Sequence, residues 1–307
     1  MRVLSHIHTF NDADILDQTI EALLRQTRPV DGILVVDNAS TDGTVERISM
    51  KEATVLRHGN NVGTSGAVVT GLRFALEHGY DWTWVFDADS VPEPDALQKL
   101  LDLYAGWPPE LQEETAFLAC LPRNACDGKP VHGQIFTRYG IDVVRPPRDQ
   151  RYYPCHVTIW SGCLYRSAVV RQIGLPNPNY VLDAGDCEYG YQVMRAGYKG
   201  FILQDATVKH NIRGTPSFEP VKLKLGPLTV TLLEVPPIRC YYGFRNTLYF
   251  ALYEIGQGRA WLLLRTTLGL AALAANFLVR PWGHAEQIVA CIRGAWHGVT
   301  GNMEARY

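Results

Sequence analysis

Short apolar runs and amphipathic stretches alternate along the first hundred residues. Residues 3–8 (VLSHIH) have strand character, and Ile15, Leu16, Ile20, Leu23 and Leu24 then recur at helical spacing until Arg28-Pro29 stops them. GILVVD (32–37) reads as a second, buried strand, and the turn-rich NASTDG (38–43) supplies capping residues before another helix. A third strand is expected over 54–57, a glycine-punctuated loop (NNVGTSGA) over 60–67, a helix ending near His78-Gly79, and a fourth strand over 82–87. This alternation predicts a layered α/β sheet with parallel strands.

The pattern loosens between residues 115 and 180, where strand-like pieces at 116–121 and 156–165 are separated by Pro- and Arg-rich loops and no topology follows. Beyond it, 184–195 reads as a helix closed by Gly197, with extended pieces at 201–203 and 206–210. From Ile238 onward three helical stretches are separated by GQGR (256–259) and RPWG (280–283). Internal repeats and low-complexity tracts are absent from the sequence.

Composition narrows the class. With 307 residues, 47% hydrophobic and 20% charged, the chain suits one large globular domain or a domain with an appendage. A formal charge of −2 argues against a general nucleic-acid binder. The charge is uneven: residues 1–238 carry 22 Lys and Arg against 28 Asp and Glu, whereas 239–307 carry 7 Arg, no Lys and 3 Glu. Seven scattered cysteines without a CxxC pair suggest neither a disulfide framework nor a zinc site, so a reduced, cytoplasmic protein is expected. MRVLSHIHTF has too short an apolar run for a signal peptide and reads as the first strand. The longest apolar stretch, 260–279, has the length of a membrane span but is broken by Arg265 and Asn276, which favours an interfacial or core helix.

Three polar clusters fall just after strand C-termini: HTFND (8–12), DNASTDG (37–43) and DADS (87–90). In open α/β sheets that edge binds ligands. Asp87 and Asp89 have two readings, as caps for the helix after Pro92 and Pro94 or as ligands of Mg²⁺ or Mn²⁺ that shares its shell with phosphate oxygens. Asp37 is either a turn cap or an acceptor for a nucleotide base or ribose. Asn61-x-Gly63-x-x-Gly66 offers backbone N–H groups to an anion at a helix start; it is not a dinucleotide fingerprint, because HTFND occupies the turn after the first strand. Asp186 and Glu188 begin a helix, where acids favour the dipole, yet Asp186 also has the chemistry of a general base. His210 reads either as a structural histidine or as a neutral imidazole suited to Mn²⁺.

In order, VLSHIHTFN, VVDNASTDGT, NNVGTSGA, FDADS, SGCLYR, the Asp186 helix and His210 resemble the inverting family-2 glycosyltransferases of the GT-A fold, particularly their bacterial rhamnosyltransferase and galactofuranosyltransferase branch. The resemblance extends loosely to YYGFRN (241–246), similar to a Tyr-x-x-Arg-Asn element of that branch. It implies a GT-A catalytic domain over 1–215, with a Rossmann-like mixed sheet flanked by helices, and a C-terminal helical extension over 216–307. By the same resemblance Thr9 and Asn11 line the nucleotide pocket, Asp37 meets the base or ribose, and Asn61 and Gly66 face the donor. Asp87 and Asp89 match the DxD motif, the second acid as direct metal ligand and the first facing ribose or metal. Asp186 matches the catalytic base and His210 the histidine completing the metal site in galactofuranosyl members. Two departures stand out. The usual pair of adjacent acids is here Gly185-Asp186, leaving Glu188 on the same turn as an assisting acid. Gln192-Val-Met-Arg195 is followed by Ala196 rather than Trp, which argues against a processive synthase.

The expected function is therefore metal-dependent, inverting transfer of a sugar, rhamnose or galactofuranose favoured, from a UDP- or dTDP-linked donor. The acceptor would be a hydroxyl of a glycan or lipid-linked molecule in cell-surface polysaccharide synthesis. A nucleotidyltransferase would need a glycine-rich basic loop where HTFND stands; a non-catalytic carbohydrate- or nucleotide-binding protein would have little need to keep Asp87, Asp89, Asp186 and His210 together. The basic C-terminal part, with Trp261, Trp282 and Trp296, suits peripheral attachment to the inner face of the cytoplasmic membrane. It equally suits a helical subdomain packed on the catalytic core or on a second subunit of a homo-oligomer.

Overall fold

The structure is a computed structural model that describes residues 1–48, 53–146, 149–210, 219–225, 228–256, 259–260, 263–264, 267–268, 271 and 285–307. The chain forms two compact units, one of Met1–Phe136, Asp142–Pro178 and Gly185–Gly214, the other of Thr137–Ile141, Asn179–Ala184 and Thr215–Tyr307.

The first unit begins with β1 (Val3–Thr9), α1 (Leu16–Leu24), β2 (Gly32–Asp37), α2 (Thr44–Ile48), β3 (Thr54–Arg57), α3 (Gly63–Glu77) and β4 (Trp82–Asp87). There follow β5 (Ser90–Pro92), α4 (Ala96–Ala105), α5 (Pro109–Glu114), β6 (Thr115–Asn124), the hairpin of β7 (Gln134–Thr137) and β8 (Gly140–Val143), whose residues Thr137–Ile141 count with the second unit, and then β9 (Tyr152–Cys155), β10 (Cys163–Arg166), α6 (Ser167–Ile173), α7 (Gly185–Arg195) and β11 (Lys199–His210). The main sheet runs β3-β2-β1-β4-β10-β6-β11-β5, with β9 also on β11. β1 to β4 are mutually parallel, β10 enters antiparallel between β4 and β6, and β11 is parallel to β6 but antiparallel to β5 and β9. This is the mixed, helix-flanked sheet expected of the GT-A architecture.

Its central strands are buried on both faces, which explains why they read as unbroken apolar runs. Along β4, Trp82, Trp84 and Phe86 point into one core with Leu16, Ile20 and Leu23 of α1 and with Leu97 and Leu100 of α4, while Val85 points into the opposite core with Val68 and Leu72 of α3. β6 alternates the same way, Leu118 and Cys120 on one side, Phe117, Ala119 and Leu121 on the other. Each large side chain buried this way stabilises the fold by about 1.5–3 kcal/mol. A close approach shapes β1: the His6 ring lies where a Cβ on Gly71 would stand, 2.4 Å from its ring carbon, so α3 can sit on the strand only with glycine there.

The irregular middle differs from its sequence reading in two places. Of the 156–165 run, only Cys163–Tyr165 joins a strand, β10, which continues to Arg166; Val157 makes an isolated bridge to Gln134, and Gly162 turns the chain between them at φ +86°. The extended pieces at 201–203 and 206–210 belong to one strand, β11, interrupted by a register shift between Leu203 and Thr207. That bulge lets one strand serve β9 along its first half and β5 along its second.

The second unit holds β12 (Glu219–Leu225), β13 (Leu228–Glu234), α8 (Pro237–Tyr249), a π-helical turn (Phe250–Glu254) and a last helix, α9 (Ala285–Thr300). β12 and β13 pair antiparallel, so the extension opens with a hairpin rather than a helix; the alternation VKLKL and LTVTL carried that signal. α8 and α9 meet through glycines: a Cβ on Gly294 would stand 2.3 Å from the Tyr241 carbonyl and one on Gly298 would stand 2.6 Å from that of Arg245. Trp261, Trp282, RPWG and most of the 260–279 stretch lie outside the described residues. Among those described, no helix is long and apolar enough to cross a membrane.

Candidate functional site

Strand register assembles the site. Across β1, Thr9 stands opposite Asp37 of β2 and His8 opposite Asp87 of β4, so the three polar clusters share one sheet edge. From the far side of the sheet, pairing of β5 with β11 sets His210 opposite Ser90, immediately after the DAD stretch.

Asp87, Asp89 and His210 then form a group whose ligand atoms all lie within 4.8 Å of one another. His210 Nδ1 is 3.8 Å from Asp87 Oδ2, 3.6 Å from Asp89 Oδ1 and 2.8 Å from Ser90 Oγ. Neither acid caps α4, which starts after Asp95. Two carboxylates and an imidazole on short, rigid segments are a donor set that fits Mn²⁺ or Mg²⁺.

Asp87 is the most heavily supported member. His8 Nε2 lies 2.5 Å from its Oδ1, Ser161 Oγ donates to its Oδ2 at 2.6 Å, and its own amide donates to Ser161 Oγ at 2.9 Å. Ser90 Oγ, 2.9 Å from Ser161 Oγ, links this arrangement to His210. Burial would raise the Asp87 pKa, but the His8 and His210 rings and the Ser161 hydroxyl outweigh it and hold the carboxyl well below the usual carboxylate range. Sequence reasoning assigns no role to His8 or Ser161. The signals are there, in HTFND and in the SGC of SGCLYR, but a strand-end histidine and a loop serine acquire meaning only through pairing.

The residues expected to line the nucleotide pocket form a stitched pair of loops. Asn11, at φ +58°, donates its amide to Ser40 Oγ at 2.9 Å and accepts the Thr41 amide at 2.8 Å; Asn is among the residues that tolerate this conformation. Thr9 Oγ1 donates to Asp12 at 2.9 Å, and the Asp12 amide donates to Thr44 Oγ1 at 3.1 Å. Asp37 is fully buried: the Ser40 amide donates to it, and Arg57 Nε lies 3.2 Å from Oδ2. What Asp37 presents outward is thus the half-exposed Arg57 guanidinium. Asn61 accepts the Gly63 amide at 2.8 Å at the start of α3, and a Cβ on Gly66 would press on Val62 at 2.8 Å.

Asp186 is the second residue of α7, with its Oδ1 accepting the Cys187 amide at 2.8 Å. Glu188 is different. It is buried, accepts the Asn177 amide at 3.1 Å and is hydrogen-bonded by Gln192. Burial pushes its pKa up, against the lowering effect of Gln192 and Asn177. Its carboxylate thus ties the loop before α7 to the helix.

Several known proteins are similar to this chain. An undecaprenyl-phosphate mannosyltransferase of Micrococcus luteus is 38% identical over 107 residues, 33% of this chain, which spans only 44% of that protein's length. A galactofuranosyltransferase, GlfT1, of Mycolicibacterium smegmatis is 23% identical over 299 residues, covering 93% of this chain and 97% of the relative. Among solved structures, S. aureus TarS 1–349 in complex with UDP-GlcNAc superposes with a TM-score of 0.59 at 14% identity, over 96% of this chain and 79% of that one. The sequence model of Glycosyl transferase family 2 matches residues 6–174, more than half of the chain and the whole strand edge from β1 to β10, and the chain belongs to that family.

Proposed function

We propose that this chain transfers a sugar from a nucleotide-diphosphate donor to an acceptor hydroxyl in a single displacement that inverts the anomeric centre. The observation that carries this reading is the convergence of Asp87, Asp89 and His210 at the strand edge. A divalent cation held there by these three side chains would supply positive charge to a departing diphosphate. Asp89 takes the direct ligand position, and Asp87, whose oxygens meet His8 and Ser161, keeps the DAD turn in place.

The nucleoside lies over the stitched β1 and β2 loops, with the Asp37–Arg57 pair, Thr9 and Asn11 nearest it, and the Asn61–Gly66 turn faces the donor. Asp186 takes the proton of the attacking hydroxyl, and Glu188 holds the preceding loop. Galactofuranose is the favoured sugar because a relative that matches over nearly the full length is a galactofuranosyltransferase. The acceptor is a glycan or lipid-linked molecule. For the second unit we propose a peripheral attachment to an anionic membrane surface through the exposed apolar side of α9, where such an acceptor would be presented.

Calorimetric titration with UDP and dTDP, each with and without Mn²⁺, tests the site. Binding of one nucleotide only when the metal is present is expected and selects the donor class. Absence of binding by either nucleotide to a folded sample would reject the site as a donor-diphosphate centre and favour a binding protein with a degenerate site.

A further inference from the structure

Two residues of the YYGFRN segment, Arg245 and Asn246, direct their side chains at the chain just before α7. Arg245, completely buried in α8, spends its guanidinium on the main chain: Nη2 donates to the Asn179 carbonyl at 2.5 Å, and Nη1 donates to Met303 and Ala305 at 3.1 and 2.5 Å. Its Nε donates to Asn246 Oδ1 at 2.9 Å, and the group stacks over Tyr242 at 4.8 Å. No carboxylate pairs with it among the described residues. Asn246, also buried and oriented by that bond, donates its amide nitrogen to the carbonyls of Leu182 and Asp183 at 2.7 and 2.9 Å. Arg239, earlier on α8, holds the Asp183 side chain at 2.8 Å.

The gripped segment is unusual in itself. Asp183 and Ala184 are consecutive and both left-handed, each at φ +62°; Asp tolerates this conformation singly, but Ala184 and the pair in succession are strained and need their surroundings to hold them. The next residues are Gly185 and Asp186, the first two of α7.

We infer that Arg245 and Asn246 are positioning residues that lock 179–184 in this left-handed arrangement and thereby set the backbone geometry with which the chain enters α7 at Gly185 and Asp186. The inference rests on the proposal that Asp186 is the general base. The chemistry favours this reading over plain helix packing. Asn246 directs its amide nitrogen at the carbonyls of Leu182 and Asp183, at the strained turn, and a buried guanidinium is committed to chain carbonyls instead of an ion pair.

The test uses the full-length chain. Asn246→Ala is expected to lower kcat roughly 10- to 100-fold through displacement of the base. Mn²⁺-dependent UDP affinity should stay at the wild-type value, and amide exchange at 179–184 should quicken. In an Asp186→Asn background the same substitution should cause no further loss. Should Asn246→Ala not fold, Asn246→Asp preserves the shape and the Arg245 contact, removes the amide donors, and is read identically. Wild-type kcat, unchanged exchange at 179–184, or an equal loss in the Asp186→Asn background would overturn the inference. Near-normal activity of Asp186→Asn itself would instead remove the base assignment, and with it the catalytic half of the inference, whereas exchange at 179–184 would still report the clamp.

Discussion

His8 and Asp87 face one another across β1 and β4, with His8 Nε2 2.5 Å from Asp87 Oδ1. The pairing answers the cost of an acid at the end of a buried strand: a neighbouring strand supplies the counter-group, so Asp87 reaches the sheet edge ionised and oriented. Replacing His8 by Ala leaves that oxygen without its partner. A loss of about 1–3 kcal/mol in urea-unfolding stability is expected. Unchanged stability would mean that water serves Asp87 as well as the imidazole does.

Ser161 holds the other oxygen of Asp87 as well as its amide. Ser161→Ala removes no metal ligand, yet partners that orient ligands are worth about 10- to 100-fold in metal affinity. That weakening is the expected result of an Mn²⁺ titration followed by paramagnetic resonance. Wild-type affinity would show that β4 alone orients the DAD turn.

Much of this site was legible in the sequence because it sits on strands buried on both faces. GILVVD and WTWVFD could only be central strands, and their polar ends had to emerge at one edge. Asp87, Asp89 and Asp186 stood out as acids at predictable element ends, while the roles expected of them came from the family resemblance. His210 was harder, since its place depends on β5 and β11 pairing between residues 120 apart in sequence. Strand register over such a separation leaves no local trace, and the bulge after Leu203 hid that β11 was one strand. Asp37 shows the reverse limit: its position was readable, but the Arg57 side chain that covers it comes from β3, and nothing in VVDNAS encodes that contact.

Asp186 can be separated from the donor site by one isosteric change. Asp186→Asn keeps the acceptor oxygen for the Cys187 amide but removes the base, so transfer should fall about 10²- to 10⁴-fold. Nucleotide affinity should not move. Parallel loss of transfer and of UDP binding would make Asp186 part of the donor pocket.

His6 gives the fold a pH dependence of its own. It is wholly buried, and burial, reinforced by His8 and opposed by Asp87, lowers its pKa well below the ordinary value near 6.5. The folded ring therefore stays neutral while the unfolded one gains a proton below about pH 6.5, so the unfolded state binds more protons and stability falls as the pH falls. Its contribution is intact above that value and is lost progressively toward the lower folded-state pKa, at no more than about 1.4 kcal/mol per pH unit. His6→Leu should flatten the stability curve between about pH 6.5 and 5 relative to wild type. Identical slopes in chemical denaturation would place the acid sensitivity elsewhere.

The last helix carries an apolar stripe that is exposed and for which the described residues of its own unit give no structural reason. Val289, Ile292, Trp296 and Val299 are 52%, 65%, 67% and 50% exposed, and their spacing of three, four and three residues sets them on one face. The opposite face is committed to α8 through Gly294 and Gly298, so α9 cannot turn the stripe inward without losing that packing. The stripe ends in a tryptophan-bearing turn next to the exposed Arg293, the combination that settles at an anionic headgroup layer, with apolar side chains below it and guanidinium groups at its level. The full chain should float with anionic vesicles and much less with zwitterionic ones, and Ile292→Glu with Trp296→Glu should abolish flotation while leaving nucleotide binding intact. Flotation that survives both substitutions would move the contact away from α9. If the wild-type chain does not float but self-associates, and the same two substitutions return it to a monomer, the stripe is a subunit interface instead.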